Sequence, residues 1–190
     1  LDLGRNSEAL GYFDQILEFE PEHFEAIHHK GITLLALANP TEALSYFDRA
    51  LAINPNHFDS IFKKAMALAK QGRHTEALAY FDAAISINSQ NAEVYYHKGQ
   101  TLAKLGQSND AILSMDKALD LNPKYYDAFY HKGTLLESSN PTEALSYFDR
   151  ALAINPNHFD SIFKKATTLA SLGRYSRSEE HTSELQSRET

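Results

Sequence analysis

The chain contains no cysteine in its 190 residues. That absence excludes disulfides, thiolate metal sites and cysteine nucleophiles together. Long apolar runs are missing too: nothing approaches the about 18 residues that a membrane span needs. No signal peptide opens the sequence. The first residue is Leu1 rather than Met, so the true N-terminus is taken to be missing, and a cytoplasmic location is the expectation. Positive charge is scarce, with 18 Lys and Arg against 25 Asp and Glu and a formal net charge of −7. Nucleic-acid binders draw most of their affinity from cation–phosphate contacts, so a chain without a basic stripe is a poor candidate. Catalytic signatures are also lacking. There is no HExxH, no phosphate-cradling glycine loop and no GxSxG, so the chain is expected not to be an enzyme and to carry no cofactor. What remains is a length suited to one domain or a short solenoid, and a 43% hydrophobic share that can build a core.

That core is written in repeats. Aligning the chain on "HKG", "KKA" and "INP" gives a period of 34 residues. Whole units occupy residues 24–57, 58–91 and 92–125, and the unit 126–158 is one residue short in the loop between its halves. Residues 1–23 match the second half of a unit, and residues 159–176 match a first half.

Each half reads as a helix. In the unit 58–91, Ile61, Ala65, Leu68 and Ala69 fall on one helical face, Gly72 breaks the pattern, and Ala77, Phe81, Ala84 and Ile85 form a second face. The second helices are expected to open on Ser7, Thr41, Thr75, Asn109, Thr142 and Ser176, each able to act as an N-cap. Pro21, Pro55, Pro123 and Pro156 stop them, because a residue before proline resists helical geometry; Ser89 stands in that place once. One helix pair cannot bury its own apolar face, whereas stacked pairs can.

Numbered within the unit, the eighth residue is small throughout: Gly31, Ala65, Gly99, Gly133 and Ala166. The twentieth is Ala9, Ala43, Ala77, Ala111 and Ala144, and the twenty-fourth is Phe13, Phe47, Phe81, Met115 and Phe148. The twenty-seventh is Ile16, Ala50, Ala84, Ala118 and Ala151, and the prolines named above fill the thirty-second. This pattern resembles the tetratricopeptide repeat (TPR) family over residues 1–176. The resemblance implies an all-α fold, a right-handed α-solenoid of antiparallel helix pairs. It would hold four near-complete repeats between a truncated second helix (1–23) and a truncated first helix (159–176).

Three features depart from the pattern. The family usually has leucine at the seventh position, where this chain has Lys30, Lys64, Lys98, Lys132 and Lys165. A lysine stem is expected to cover apolar surface while its ammonium stays wet. Next, "RSEEHTSELQS" at 177–187 resembles the translation of a common sequencing adapter, so the expectation is that 177–190 is a non-native tail and the chain an interior piece of a longer array. An atypical polar cap is the alternative. Lastly, residues 39–65 and 140–166 are identical over 27 positions, through either a recent duplication or misassembled short reads.

The resemblance also implies a site. First helices of such arrays line a concave groove that receives a peptide or a partner's helix. By position, the groove residues here are Glu25, His28 and His29, then Asp59, Phe62 and Lys63, then Glu93, Tyr96, His97 and Gln100, then Asp127, Tyr130 and His131, and finally Phe163. The acids stand four residues before His or Lys, so repeated i,i+4 pairs are their simplest role, worth about 0.2–0.5 kcal/mol each. The aromatic row either anchors a partner or fills the space between neighbouring first helices. Phe62, Tyr96 and Tyr130 are the expected anchors, and the acids favour a basic partner.

The family's carboxylate clamp is absent at the fifth and ninth positions, so capture of chaperone C-terminal tails is not expected. No two histidines share one helical face at i,i+4, and His23, His57 and His158 recur at the inter-repeat turn, which reads as turn chemistry rather than a metal site. The expected function is a protein–protein interaction scaffold. The alternative is a regulatory or substrate-docking arm of a larger enzyme, such as a transferase or signalling kinase, whose catalytic domain lies outside these residues. Helical-repeat RNA recognition is disfavoured by the charge.

Overall fold

The structure is a computed structural model that describes the backbone of residues 3–188 and the side chains of residues 4–173. It contains ten α-helices, with no strand among the described residues. The helices are α1 (Leu3–Phe19), α2 (Phe24–Ala36), α3 (Pro40–Ile53), α4 (Phe58–Lys70), α5 (His74–Ile87), α6 (Ala92–Lys104), α7 (Ser108–Leu121), α8 (Tyr126–Leu136), α9 (Pro141–Ile154) and α10 (Phe159–Arg188). The expected tail, 177–190, falls outside the residues whose side chains are described. Two compact units divide within α7, one of residues 1–114 and one of residues 115–190. In the first, α1 to α6 pack in sequence and alternate first helices touch, α2 on α4 and α4 on α6. In the second, α9 lies against α8 and α10.

Turn chemistry sets where the first helices stop. After α4, Gly72 adopts φ 77°, its N–H reaches the Ala69 carbonyl (3.0 Å), and the Arg73 N–H reaches the Leu68 carbonyl (3.0 Å). This Schellman closure satisfies carbonyls that the helix leaves open. Gly106 repeats it after α6 with φ 75°. Ala38 repeats it after α2 with φ 57°, a left-handed backbone that crowds a Cβ. The shortened unit 126–158 has no left-handed residue in this turn; Asn140 N–H bonds directly to the Leu136 carbonyl (2.7 Å).

The second helices begin earlier than the sequence suggests. Asn39 and Asn140 cap α3 and α9, accepting from the N–H of Glu42 (3.4 Å) and Glu143 (3.2 Å), while α5 follows Arg73 without a side-chain cap. Thr41, Thr75 and Thr142 are therefore inside the first turn. In two of these helices proline holds the first helical position, where its fixed φ fits and its missing N–H costs nothing. First helices are capped differently. His23 and His57 accept through Nδ1 from the N–H of Ala26 and Ser60, both at 3.2 Å, and Asn91 does the same for Val94.

The repeating core is methyl against ring. Ala43, Phe47 and Ala50 are fully buried in α3, Ala77, Phe81 and Ala84 in α5, and Ala144, Phe148 and Ala151 in α9. A Cβ built on Gly31 would lie 2.8 Å from the Phe47 ring, and one on Gly133 would lie 2.6 Å from the Phe148 ring. Glycine at the eighth position is thus what lets the aromatic of the twenty-fourth close on the first helix.

The seventh-position lysines behave differently from the expectation. Lys30 and Lys132 are buried, and their ammonium groups do not stay wet. Each lysine pairs with an aspartate on the second helix of the preceding repeat: Lys30 with Asp14, Lys64 with Asp48 (2.5 Å), Lys98 with Asp82 (2.5 Å), Lys132 with Asp116 and Lys165 with Asp149 (2.6 Å). Lys30, Lys64 and Lys132 also lie over the rings of Tyr46, Tyr80 and Tyr147 in their own repeats, 4.1–4.6 Å from the centroids. Burial pushes these three ammonium groups down, but the aspartate and tyrosine partners push them further up, so each stays protonated above the ordinary 10.5. The lysine thus binds one repeat to the next through charge and to its own second helix through a ring face. Lysine at the seventh residue and aspartate at the twenty-fifth recur with one period, so the ladder was visible in the sequence.

Candidate functional site

In the first unit, the candidate residues lie on α2, α4 and α6. Glu25 and His29 on α2 are well exposed and stand 3.8 Å apart at i,i+4. Glu93 and His97 on α6 repeat the pair at 3.7 Å. The neighbouring His97 imidazole depresses the Glu93 carboxyl, against the opposing effect of burial. Asp59 on α4 departs from the expected pairing with Lys63 and instead accepts from His28 Nε2 on α2 at 3.0 Å. That bond, larger than its desolvation, holds the Asp59 carboxyl below the ordinary 3.8.

The aromatic row divides. Phe62 is 2% exposed and Tyr96 is 8% exposed. Phe62 packs near the Phe81 ring (6.1 Å between centroids) and is covered by Lys63, whose ammonium is 5.0 Å from its centroid. Packing between helices therefore accounts for these two rings, which offer a partner almost no surface. The expectation that Phe62 and Tyr96 anchor a partner is corrected accordingly. Gln100 donates through Nε2 to the Tyr96 hydroxyl at 2.9 Å.

One cluster in this unit carries three residue types associated with catalysis. Asp59 accepts from His28 Nε2, and His28 Nδ1 lies 2.9 Å from Ser60 Oγ. The order acid–imidazole–hydroxyl matches a nucleophile and its base. Its surroundings do not. Ser60 is fully buried, His28 is 4% exposed, and Ser60 Oγ is also 2.9 Å from His57 Nδ1. No substrate carbonyl can approach that hydroxyl. The cluster instead joins α2 to α4, with both His28 ring nitrogens and the Ser60 hydroxyl engaged within the protein.

In the second unit, Asp127 and Tyr130 on α8 converge on His158, which precedes α10. Asp127 is 3.9 Å from His158 Nε2, and the Tyr130 ring meets the His158 ring edge-on at 5.2 Å. Burial raises the Asp127 carboxyl above the ordinary 3.8. His131 lies beside Tyr130 with centroids 5.0 Å apart. On α10, Phe163 is exposed, and Lys164 reaches back to Glu137 at 2.6 Å. Tyr130 and Phe163 are thus the candidate rings that keep accessible surface. Among the described residues no group of three His, Asp or Glu side chains could hold a metal ion, and no helix is long and apolar enough to cross a membrane.

Family models described as Tetratricopeptide repeat match residues 1–57 and 28–92, residues 68–132 and residues 147–180. No curated protein matches the chain. Among solved structures, MamA 41-end from Desulfovibrio magneticus RS-1 is similar with a TM-score of 0.75 at 26% identity, over 82% of this chain and 88% of that one. TTC0263, a thermophilic TPR protein of Thermus thermophilus, gives 0.71 at 24% identity over 88% and 92%. YrrB, described as a TPR protein with an unusual peptide-binding site, gives 0.67 at 23% identity over 85% and 84%. At these last two identities the likeness shows the fold. The methyl-and-ring core, the repeated turns and the four matching segments agree: this chain belongs to the tetratricopeptide repeat family, an all-α solenoid that serves as a protein–protein interaction scaffold.

Proposed function

We propose that the first-helix face of residues 1–114 binds a basic peptide or helix of a protein partner, with Glu25, Asp59 and Glu93 as its main contacts. The observation that supports this is the row of carboxylates at the second position of α2, α4 and α6. Their side chains are 66%, 39% and 49% exposed, and their nearest partners are histidines. Each carboxylate meets its imidazole through one oxygen and keeps exposed surface for a cationic partner. With Phe62 and Tyr96 buried, charge rather than ring anchoring sets recognition on this face. Electrostatic contacts of this kind act on specificity and association rate, and weaken as salt rises.

The test is fluorescence anisotropy with a lysine-rich and a glutamate-rich peptide of equal length. The lysine-rich peptide is expected to bind and to lose affinity with added salt. Glu25→Gln, Asp59→Asn and Glu93→Gln combined should lower its affinity at least about tenfold, equivalent to about 1.4 kcal/mol. Equal binding of the two peptides, or full affinity in the triple variant, would remove this reading.

A further inference from the structure

The carboxylates Glu25, Asp59 and Glu93 stand in the first turns of α2, α4 and α6. The other ends of two of these helices carry the opposite charge. Lys70 stands in the last turn of α4 and Lys104 in the last turn of α6. Both residues are exposed, and among the described residues neither side chain makes an ion pair or a hydrogen bond. On α2 the same place is Ala36.

These lysines share a face with the carboxylates. On a helix of 3.6 residues per turn, residues seven and eleven apart return to within about 20° of one another. Asp59, Met66 and Lys70 therefore form one stripe along α4, and Glu93, Gln100 and Lys104 form the same stripe along α6. Between the two edges, Ile32 and Met66 are half-buried: they pack against the core and still keep surface. Lys63, one turn beyond Asp59 and over the Phe62 ring, offsets the acid edge only in part, one ammonium against three carboxylates.

Helix dipoles do not account for the lysines. An acid in the first turn and a base in the last suit any helix. Helices α3 and α5 have the acids, Glu42 and Glu76, yet neither has a base in its last turn. In the first unit the bases at helix ends belong to the face that carries the acid row.

Resting on the reading that this face binds a protein partner, we infer that its occupant is an α-helix, basic along one flank and acidic along the other, and that the two edges fix which way it runs. Eleven residues rise about 16 Å, and an α-helix with its side chains is about 10–12 Å across. A helix laid across α2, α4 and α6 thus puts an apolar stripe over Ile32 and Met66 and one flank at each edge. Packed helices lie about 8–10 Å apart, close to the rise of seven residues, about 10.5 Å. One basic residue per heptad then meets Glu25, Asp59 and Glu93 in turn, and one acidic residue per heptad meets Lys70 and Lys104. Turning the helix end for end exchanges its flanks, so only one direction matches both edges.

The test uses two peptides of equal composition, each of three heptads or about 21 residues. Both have Leu and Ala at the a and d positions; one has Lys at e and Glu at g, the other the reverse. Each carries a nitroxide at its N-terminus, and the full chain's amide resonances report where that end lies. Both peptides are expected to bind, to gain helical circular dichroism, and to broaden opposite ends of the face, α2 with one and α6 with the other. Lys70→Glu with Lys104→Glu should weaken both about tenfold and strengthen a third peptide with Lys at both e and g. Both lysines are exposed, so the variant's own circular dichroism should match the parent's. The same end broadened by both peptides, both ends broadened by each, or no gain of helix on binding would overturn the inference. So would binding of the third peptide alone to the parent chain, which leaves the acid edge as proposed above. Failure of all three peptides removes that reading as well.

Discussion

Replacing Lys64, its partner Asp48, or both gives a direct measure of what the lysine ladder contributes. Lys64 Nζ lies 2.5 Å from Asp48 Oδ1, 2.6 Å from the Tyr80 hydroxyl and 4.1 Å from the Tyr80 ring centroid. Its side chain is 14% exposed, whereas that of Asp48 is 59% exposed. The asymmetry decides the signs. Asp48→Asn removes a charged acceptor and leaves a largely buried ammonium with the tyrosine alone. A hydrogen bond to a charged group contributes about 1.5–3 kcal/mol, and the solvent around Asp48 reduces this to about 1 kcal/mol. Lys64→Leu removes the buried charge as well and restores the family's usual residue. Exchanging a buried ion for a well-packed apolar side chain is often neutral or stabilising, so the variant should lie within about 1 kcal/mol of the parent. In the Lys64→Leu background, Asp48→Asn should then cost almost nothing. Urea denaturation of the four proteins closes the double-mutant cycle, with a coupling of about 1 kcal/mol expected. A coupling within a few tenths of zero, or a Lys64→Leu loss well above that of Asp48→Asn, would refute the reasoning.

The Schellman turns and the capping histidines give two further expectations. Ala38→Gly should raise stability by about 0.5–1 kcal/mol, because relief of the left-handed Cβ outweighs the added freedom of the unfolded chain; a lower urea midpoint would contradict it. His57 is pushed below its ordinary value of 6.5 first by burial and then by the His28 charge. As pH falls below about 6.5 the unfolded chain therefore takes up the proton first, and stability falls with it. The depressed Asp59 carboxyl acts in a separate window, since its contribution is present above the ordinary 3.8 and is lost only as pH falls further. His57→Asn keeps an N-cap of the kind Asn91 supplies to α6, so its stability should change less than the parent's between pH 7.5 and pH 5.5 in parallel urea titrations. Equal losses in the two proteins would rule His57 out as the source.

The fold is most legible in the sequence where one residue type recurs under one local constraint. Alanine, phenylalanine and alanine at fixed positions identified the buried faces, because a ring closing on a helix needs a methyl or a hydrogen opposite it. Helix starts were less legible. Threonine and asparagine both cap well, and the choice of Asn39 over Thr41 followed from Pro40 occupying the first helical position. Lys30 and its counterparts pair with aspartates 16 residues upstream on the preceding helix, a partnership legible only when the lysine and aspartate periods are set side by side.

The sequence by itself determined the class of fold, the period and the residues facing each helix pair, since 3.6-residue periodicity and repeated small residues constrain neighbours close along the chain. Tertiary structure alone decided which of those faces stay open. Phe62 and Phe163 sit in the same eight residues, one sealed beneath α5 and the other exposed on α10. A side chain's chemistry fixes how much it gains from burial, but only the helix packed beside it determines whether that burial occurs.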